Sequence, residues 1–224
     1  MNLKNLIGKI FSTVEESIPL QYKIKDYYLK HGYFFDEVNL IGIRNSESRG
    51  TNKFDDLICA VSENFIEVYA ATTDPGTTWT DDAKKKFGVT YDGTICTGMY
   101  KRAYKFGKHR GYTALVQNVQ FNEYRDLNKN GLLDANEQVK RNVWGGYNLH
   151  TVGNPEKDGG NVTKKTVDYA SAGCQVIASQ KDFLELLSIL KTTNSYRKNK
   201  AYAWDYLLIE SDEFPLYSEI KKLA

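Results

Sequence analysis

A mainly β fold with a few helices is predicted for this chain of 224 residues. Short runs rich in Ile, Val, Tyr and Thr recur from Asn39 onward, Gly, Asp and Asn punctuate them, and one strongly helical stretch interrupts them late. With 41% hydrophobic and 26% charged residues, the chain can bury the core of one enzyme-sized unit.

Taken in order, Leu3, Leu6, Ile7, Ile10, Phe11 and Val14 recur at helical spacing until Pro19 breaks the pattern. A second short helix is expected over Asp26 to His31, ending at Gly32. These N-terminal helices dock on the main unit, or else meet a membrane surface or a partner. Strands are predicted at NLIGIR, DLICAVS, NFIEVYAATT, TGMYKRAYKFG, GYTALVQ, VWGGYNLH and AYAWDYLLIE. The late helix is QKDFLELLSILKTT, where Phe183, Leu184, Leu186, Leu187 and Leu190 make one apolar face behind the polar entry Ser179. A soft boundary near residue 36 divides an N-terminal helical segment, 1–36, from a domain spanning 37–224.

Thirty basic and 28 acidic side chains leave a net charge of +2, which gives no electrostatic reason to expect a nucleic-acid partner. No segment reaches the roughly 18 apolar residues of a membrane span, and the N-terminus lacks a signal-peptide apolar core. The expectation is a chain made in the cytoplasm without classical export. Cys59, Cys96 and Cys174 form neither a metal pair nor an even disulfide framework, so at least one thiol is free.

A cysteine attacks as thiolate, so a catalytic one needs a base and donors for the developing oxyanion. Cys174 lies in YASAGCQVIAS, where Ser171, Ala172 and Gly173 let a substrate carbonyl approach and Gly173 permits a sharp turn. Of three histidines, His31 is N-terminal and His109 sits in GKHRG, a charged hairpin turn, whereas His150 ends the strand GGYNLH before a glycine-rich loop. By residue type alone, Cys174 is either a nucleophile or a small buried hydrophobe.

A strand ending in His150, a loop, SAGC, a helix and a closing strand together resemble the catalytic domain of the L,D-transpeptidase family, also called YkuD-type. The 24 residues from His150 to Cys174 are close to its spacing of some twenty, and AATT at 70–73, TGMY at 97–100 and YLLIE at 206–210 are similar to its other strand motifs. The resemblance covers roughly residues 39 to 210 and implies a β-sandwich-like fold with one helix after the cysteine. It further implies Cys174 as nucleophile, His150 as base, the backbone N–H groups of Gly173 and Cys174 as oxyanion hole, Thr151 as the residue whose carbonyl orients the histidine, and Ser171 as the serine of the motif. The implied substrate is the peptide stem of bacterial peptidoglycan. Three positions depart from the family pattern: Ala172 replaces a second histidine, Val176 replaces Arg or Asn, and Thr151 replaces the glycine after His150. An altered pocket around an intact pair, without an export signal, suits a lytic or trimming version, such as a phage-encoded lysin or virion-associated hydrolase whose N-terminal helices meet a phage or envelope partner.

A second motif, DLNKNGLLDANE at 126–137, matches the twelve-residue calcium loop of EF-hands. Asp126, Asn128, Asn130, Asp134 and Glu137 supply side-chain oxygens, Leu132 a carbonyl, Gly131 the turn and Leu133 the apolar anchor. Strand-like flanks place it at the tip of a hairpin, where it is either a calcium site bracing the His150 strand or a solvated turn. ATTDPGTTW reads as a surface turn or a groove wall, and Trp79 carries no assigned role. Two other functions compete: a papain-like peptidase, disfavoured because histidine here precedes cysteine, and an inactive wall-binding or virion module.

Overall fold

The computed structural model describes residues 18–48, 51–88, 93–125 and 138–224. The apolar stripe over 3–14 and the calcium-type loop 126–137 lie outside these residues.

A helix, α1 (Leu20–Lys30), starts directly behind Pro19 and so begins earlier than the spacing alone suggests. Proline's fixed φ suits a helix entry, and Ile24 and Tyr28, four residues apart, form the buried face. Among the described residues eleven strands follow: β1 (Asn39–Arg44), β2 (Asp56–Val61), β3 (Ile66–Thr72), β4 (Gly93–Ile95), β5 (Gly98–His109), β6 (Tyr112–Gln117), β7 (Phe121–Arg125), β8 (Val139–Val143), β9 (Leu149–Thr151), β10 (Gln175–Ile177) and β11 (Ala203–Glu210). The mainly β expectation is met, and the principal sheet closes as a barrel in the order β1-β11-β5-β6-β9-β10-β3-β2, while β4, β7 and β8 form a small separate sheet.

Burial on both faces explains why β1, β2 and β11 read as unbroken apolar runs. Their inner residues, among them Leu40, Ile58, Tyr206 and Leu208, meet Phe183, Leu186, Leu187 and Leu190 of helix α4 (Gln180–Thr192). Their outer residues, Ile41, Ile43, Cys59 and Leu207, are covered by Ile24 and Tyr28 of α1 and by Phe214 and Ile220 near the C-terminus. Each such fully buried side chain contributes about 1.5–3 kcal/mol. Helix α4 starts where Ser179 caps it, its hydroxyl accepting from the Asp182 N–H.

Two parts of the chain near the site differ from the sequence expectation. VWGGYNLH is not one strand: β8 ends at Val143, Gly146 takes φ +71°, and β9 starts only at Leu149. Cys174 leads into the three-residue strand β10 before α4, and β10 runs parallel to β9 with Gln175 opposite Leu149 and Val176 opposite His150.

A shorter helix, α2 (Asp81–Phe87), was not foreseen. Thr80 caps its start and Gly88, at φ +69°, ends it, but DDAKKKF has no apolar stripe to reveal it. Among the described residues no helix is long and apolar enough to cross a membrane.

Candidate active site

The β9–β10 register brings Cys174 and His150, 24 residues apart in sequence, to neighbouring strands at one end of the barrel. Both line a cavity of about 330 Å³ whose walls include Trp79, Arg110, Trp144, Tyr147 and Tyr169, with Gly146 beside the sulfur.

The loop that presents the sulfur is tied by Ser171. Its buried hydroxyl accepts from the Gly173 N–H at 3.0 Å and donates to the Cys174 carbonyl at 2.8 Å. The Ser171 carbonyl in turn accepts from the Trp79 indole N–H and from Gly76 N–H, so the DPGTTW turn wraps the loop from outside. Only glycine fits at 173. Its φ is +123°, and a Cβ there would stand 2.0 Å from the Gly93 carbonyl oxygen and 2.6 Å from the Tyr147 ring. Because Ser171 already holds the Gly173 N–H, the oxyanion pair expected from Gly173 and Cys174 would have to release that bond before Gly173 could donate to a substrate.

His150 is 3% exposed. Its Nδ1 lies 2.8 Å from the Thr151 carbonyl and 3.2 Å from the Tyr112 hydroxyl, which itself donates to that carbonyl at 3.1 Å. A carbonyl can only accept, so Nδ1 carries the proton and Nε2 holds a lone pair. Among the described residues Nε2 has no hydrogen-bond partner although it is buried. The Cys174 thiol donates to the Gly146 carbonyl at 3.5 Å. The pair therefore shares a cavity without being hydrogen-bonded to each other, as is common for catalytic groups before substrate binds.

Burial pushes the Cys174 thiol up to about 11, against which the Asn148 backbone N–H and the Arg110 charge act. Burial likewise drives His150 well below the ordinary imidazole range, helped by its neighbours His109 and Arg110 and opposed by the Thr151 carbonyl. Near neutral pH the pair is thus a thiol and a neutral imidazole. Were the two to act as nucleophile and base, proton transfer from sulfur to Nε2 would have to accompany attack on a carbonyl.

Sequence reasoning passed over several residues here. His109 ends β5 and faces His150 across the cavity wall, Tyr112 of β6 anchors the Thr151 carbonyl, and Trp79 props the loop. The GKHRG segment is the hairpin turn expected, with Arg110 and Gly111 at φ +46° and +94° between paired His109 and Tyr112. Nothing local signals that this hairpin reaches the site, because its place beside β9 is set by barrel pairing, with Leu115 of β6 opposite Leu149.

Asp126, Asn128, Asn130, Leu132, Asp134 and Glu137 lie outside the described residues. The strands flanking them do pair, Tyr124 with Val139 and Phe121 with Val143, so the acidic loop joins two strands of one hairpin. Among the described residues no three His, Cys, Asp or Glu side chains converge as a metal would need. No protein family, curated protein or solved structure matches this chain.

Proposed function

We propose that this protein is a cysteine acyl-transfer enzyme of L,D-transpeptidase type, acting on the peptide stems of bacterial cell wall. The observation that carries the reading is that His150, whose buried Nε2 has no hydrogen-bond partner among the described residues, lines the same cavity as Cys174. Buried polar atoms are nearly always paired, so a bare acceptor on a histidine that shares a cavity with a thiol is what a general base awaiting its proton should look like.

In this reading the Cys174 sulfur attacks the stem carbonyl while its proton passes to His150 Nε2. The tetrahedral oxyanion collapses, the C–N bond breaks, and His150 returns the proton to the departing amine, leaving a thioester. Water or an amine then resolves it, with His150 taking and returning the second proton. The Cys174 N–H and, once released by Ser171, the Gly173 N–H are the oxyanion donors. Arg110, whose charge reaches both Cys174 and His150, favours the anionic stages.

We favour water as the acceptor, a lytic or trimming activity. The sandwich-like family fold belongs to the same proposal, as does calcium in the 126–137 loop. There the alternate oxygens of Asp126, Asn128 and Asn130, with Glu137, would hold the ion and brace the hairpin. A phage or envelope partner for the N-terminal segment completes it.

The test is digestion of purified peptidoglycan with the unaltered protein and with Cys174→Ala, with and without calcium, resolving muropeptides by mass. Stems cut or shortened only when Cys174 is present support the proposal. A wall bound but unchanged by both proteins would favour an inactive binding module, and an excess of new cross-links would overturn the lytic preference.

A further inference from the structure

His109 stands over His150 with ring centroids 3.9 Å apart and planes inclined by 13°, a close parallel stack of two imidazoles. Asn148 sits between the partners of this arrangement. Its side-chain amide lies 3.0 Å from His109 Nδ1, its own carbonyl oxygen accepts from the Gln117 N–H, and its backbone N–H acts on the Cys174 sulfur. The amide can only donate to Nδ1, so His109 carries its proton on Nε2.

The stack therefore has defined tautomers on both rings, and one residue, Asn148, touches both the second ring and the nucleophile. His150 needs such support, because the Thr151 carbonyl and the Tyr112 hydroxyl hold one edge of the ring only and leave rotation about the Cβ–Cγ axis to be stopped by whatever lies on its faces. His109 covers one face.

Resting on the acyl-transfer reading, we propose that His109 is a positioning residue of this site, clamping the His150 ring by stacking so that the ring keeps one orientation in the wall it shares with Cys174. It takes no proton from the substrate and makes no bond to it.

The surroundings suit a stack of uncharged rings. Burial and the Arg110 charge hold His109 down to about 4, so both imidazoles are neutral over the physiological range. The ionisable groups facing the pair are Arg110 at the hairpin tip, Tyr112 from β6, and Cys174 and Tyr169 from the loop side. Asp158, Lys164 and Asp168 stand on the wall of the adjoining cavity of about 550 Å³. Removing the His109 ring would open His150 to water and lift its titration toward the ordinary range, because burial is the first cause of its depression.

The experiment compares His109→Ala, which removes the cover, with His109→Phe, which keeps a flat ring but no nitrogen. Turnover of a stem tetrapeptide is read as kcat and KM across pH. His150 is read separately by ¹⁵N NMR of its ring, tractable because the chain holds three histidines.

The proposal expects His109→Ala to lose kcat by about 10²-fold with KM little changed, as for a misaimed catalytic group, and to move the acid limb of the profile upward. It expects His109→Phe to recover most of the rate and keep the limb low. An unchanged His150 tautomer and titration in His109→Ala would overturn it, as would a His109→Phe protein as impaired as the alanine variant with the limb unmoved, since His109 nitrogen would then act chemically. If the unaltered protein turns over no stem, the acyl-transfer reading fails, while the NMR comparison still decides whether His109 fixes the ring.

Discussion

Two nitrogen-bearing side chains are buried in the wall of one barrel, and the fold completes one while leaving the other open. Arg44 in β1 is wholly enclosed: Nε donates to Thr73 Oγ1 at 2.9 Å, Nη2 donates to the carbonyls of Thr73 and Ile95 at 3.2 and 2.9 Å, and Asp74 and Glu210 supply charge at 3.0 and 3.5 Å. His150 in β9 is almost as buried, yet one ring nitrogen lacks a partner among the described residues. The Arg44 cluster stitches β1, β11 and the β3 end together. An unpartnered buried acceptor on a residue that shares a cavity with a thiol costs stability, which fits the proposed role as a base.

Substitutions at the two places should therefore separate activity from stability. His150→Gln is expected to lower stem turnover by about 10³–10⁴-fold, the loss typical when a member of a catalytic set is removed, while the urea midpoint stays where it was. A fall in both would make His150 another structural group. Arg44→Met should do the reverse: removing one partner of a buried ion cluster destabilises by about 3–5 kcal/mol, read in the same urea titration, through the loss of fold alone.

Gly173→Ala lies between the two. Forcing a side chain onto φ +123° and against the Gly93 carbonyl should cost about 1–3 kcal/mol of strain, and it should also displace the sulfur. Turnover is expected to fall further than stability accounts for.

A milder test uses pH. The folded protein holds His109 at about 4, and His150 is depressed too, whereas both titrate near 6.5 when unfolded. Between those values the unfolded chain binds more protons, so stability rises with pH across this window and is lost on acidification. The melting temperature should drop from pH 7 to pH 5, and less so in His109→Phe. A pH dependence left unchanged by His109→Phe would show that His109 is not held neutral.

The smallest effect concerns thiol labelling. Cys174 should alkylate first because it alone reaches the cavity, faster with rising pH toward its value of about 11, whereas Cys59, fully buried and pushed up to about 12, should label only on unfolding.

How far the sequence carried this account depends on the range of the interaction. β1, β2, β3, β6 and β11 were readable because β-branched and aromatic runs bounded by Gly and Asn are set locally, and α4 because four leucines and Phe183 keep helical spacing. Barrel closure was not readable. It rests on β9 and β10, three residues each, whose parallel pairing is made by contacts far apart in the chain. Within the candidate site, type and small neighbours single out Cys174 and His150 as candidates and the family resemblance adds Gly173 and Ser171, but the stack of His109 on His150 depends on where a long hairpin happens to end. Trp79 offered one signal, a Pro-Gly turn followed by a large aromatic, which could have been read as a wall for whatever the turn encloses.

The most direct test of the central claim is to mix the protein briefly with a disaccharide-tetrapeptide stem, quench in acid and locate any added mass by peptide mapping. The account predicts the acyl portion of the stem as a thioester on Cys174, with Cys59 and Cys96 unmodified. An acyl group on another residue, or turnover of the same stem by Cys174→Ala, would contradict it.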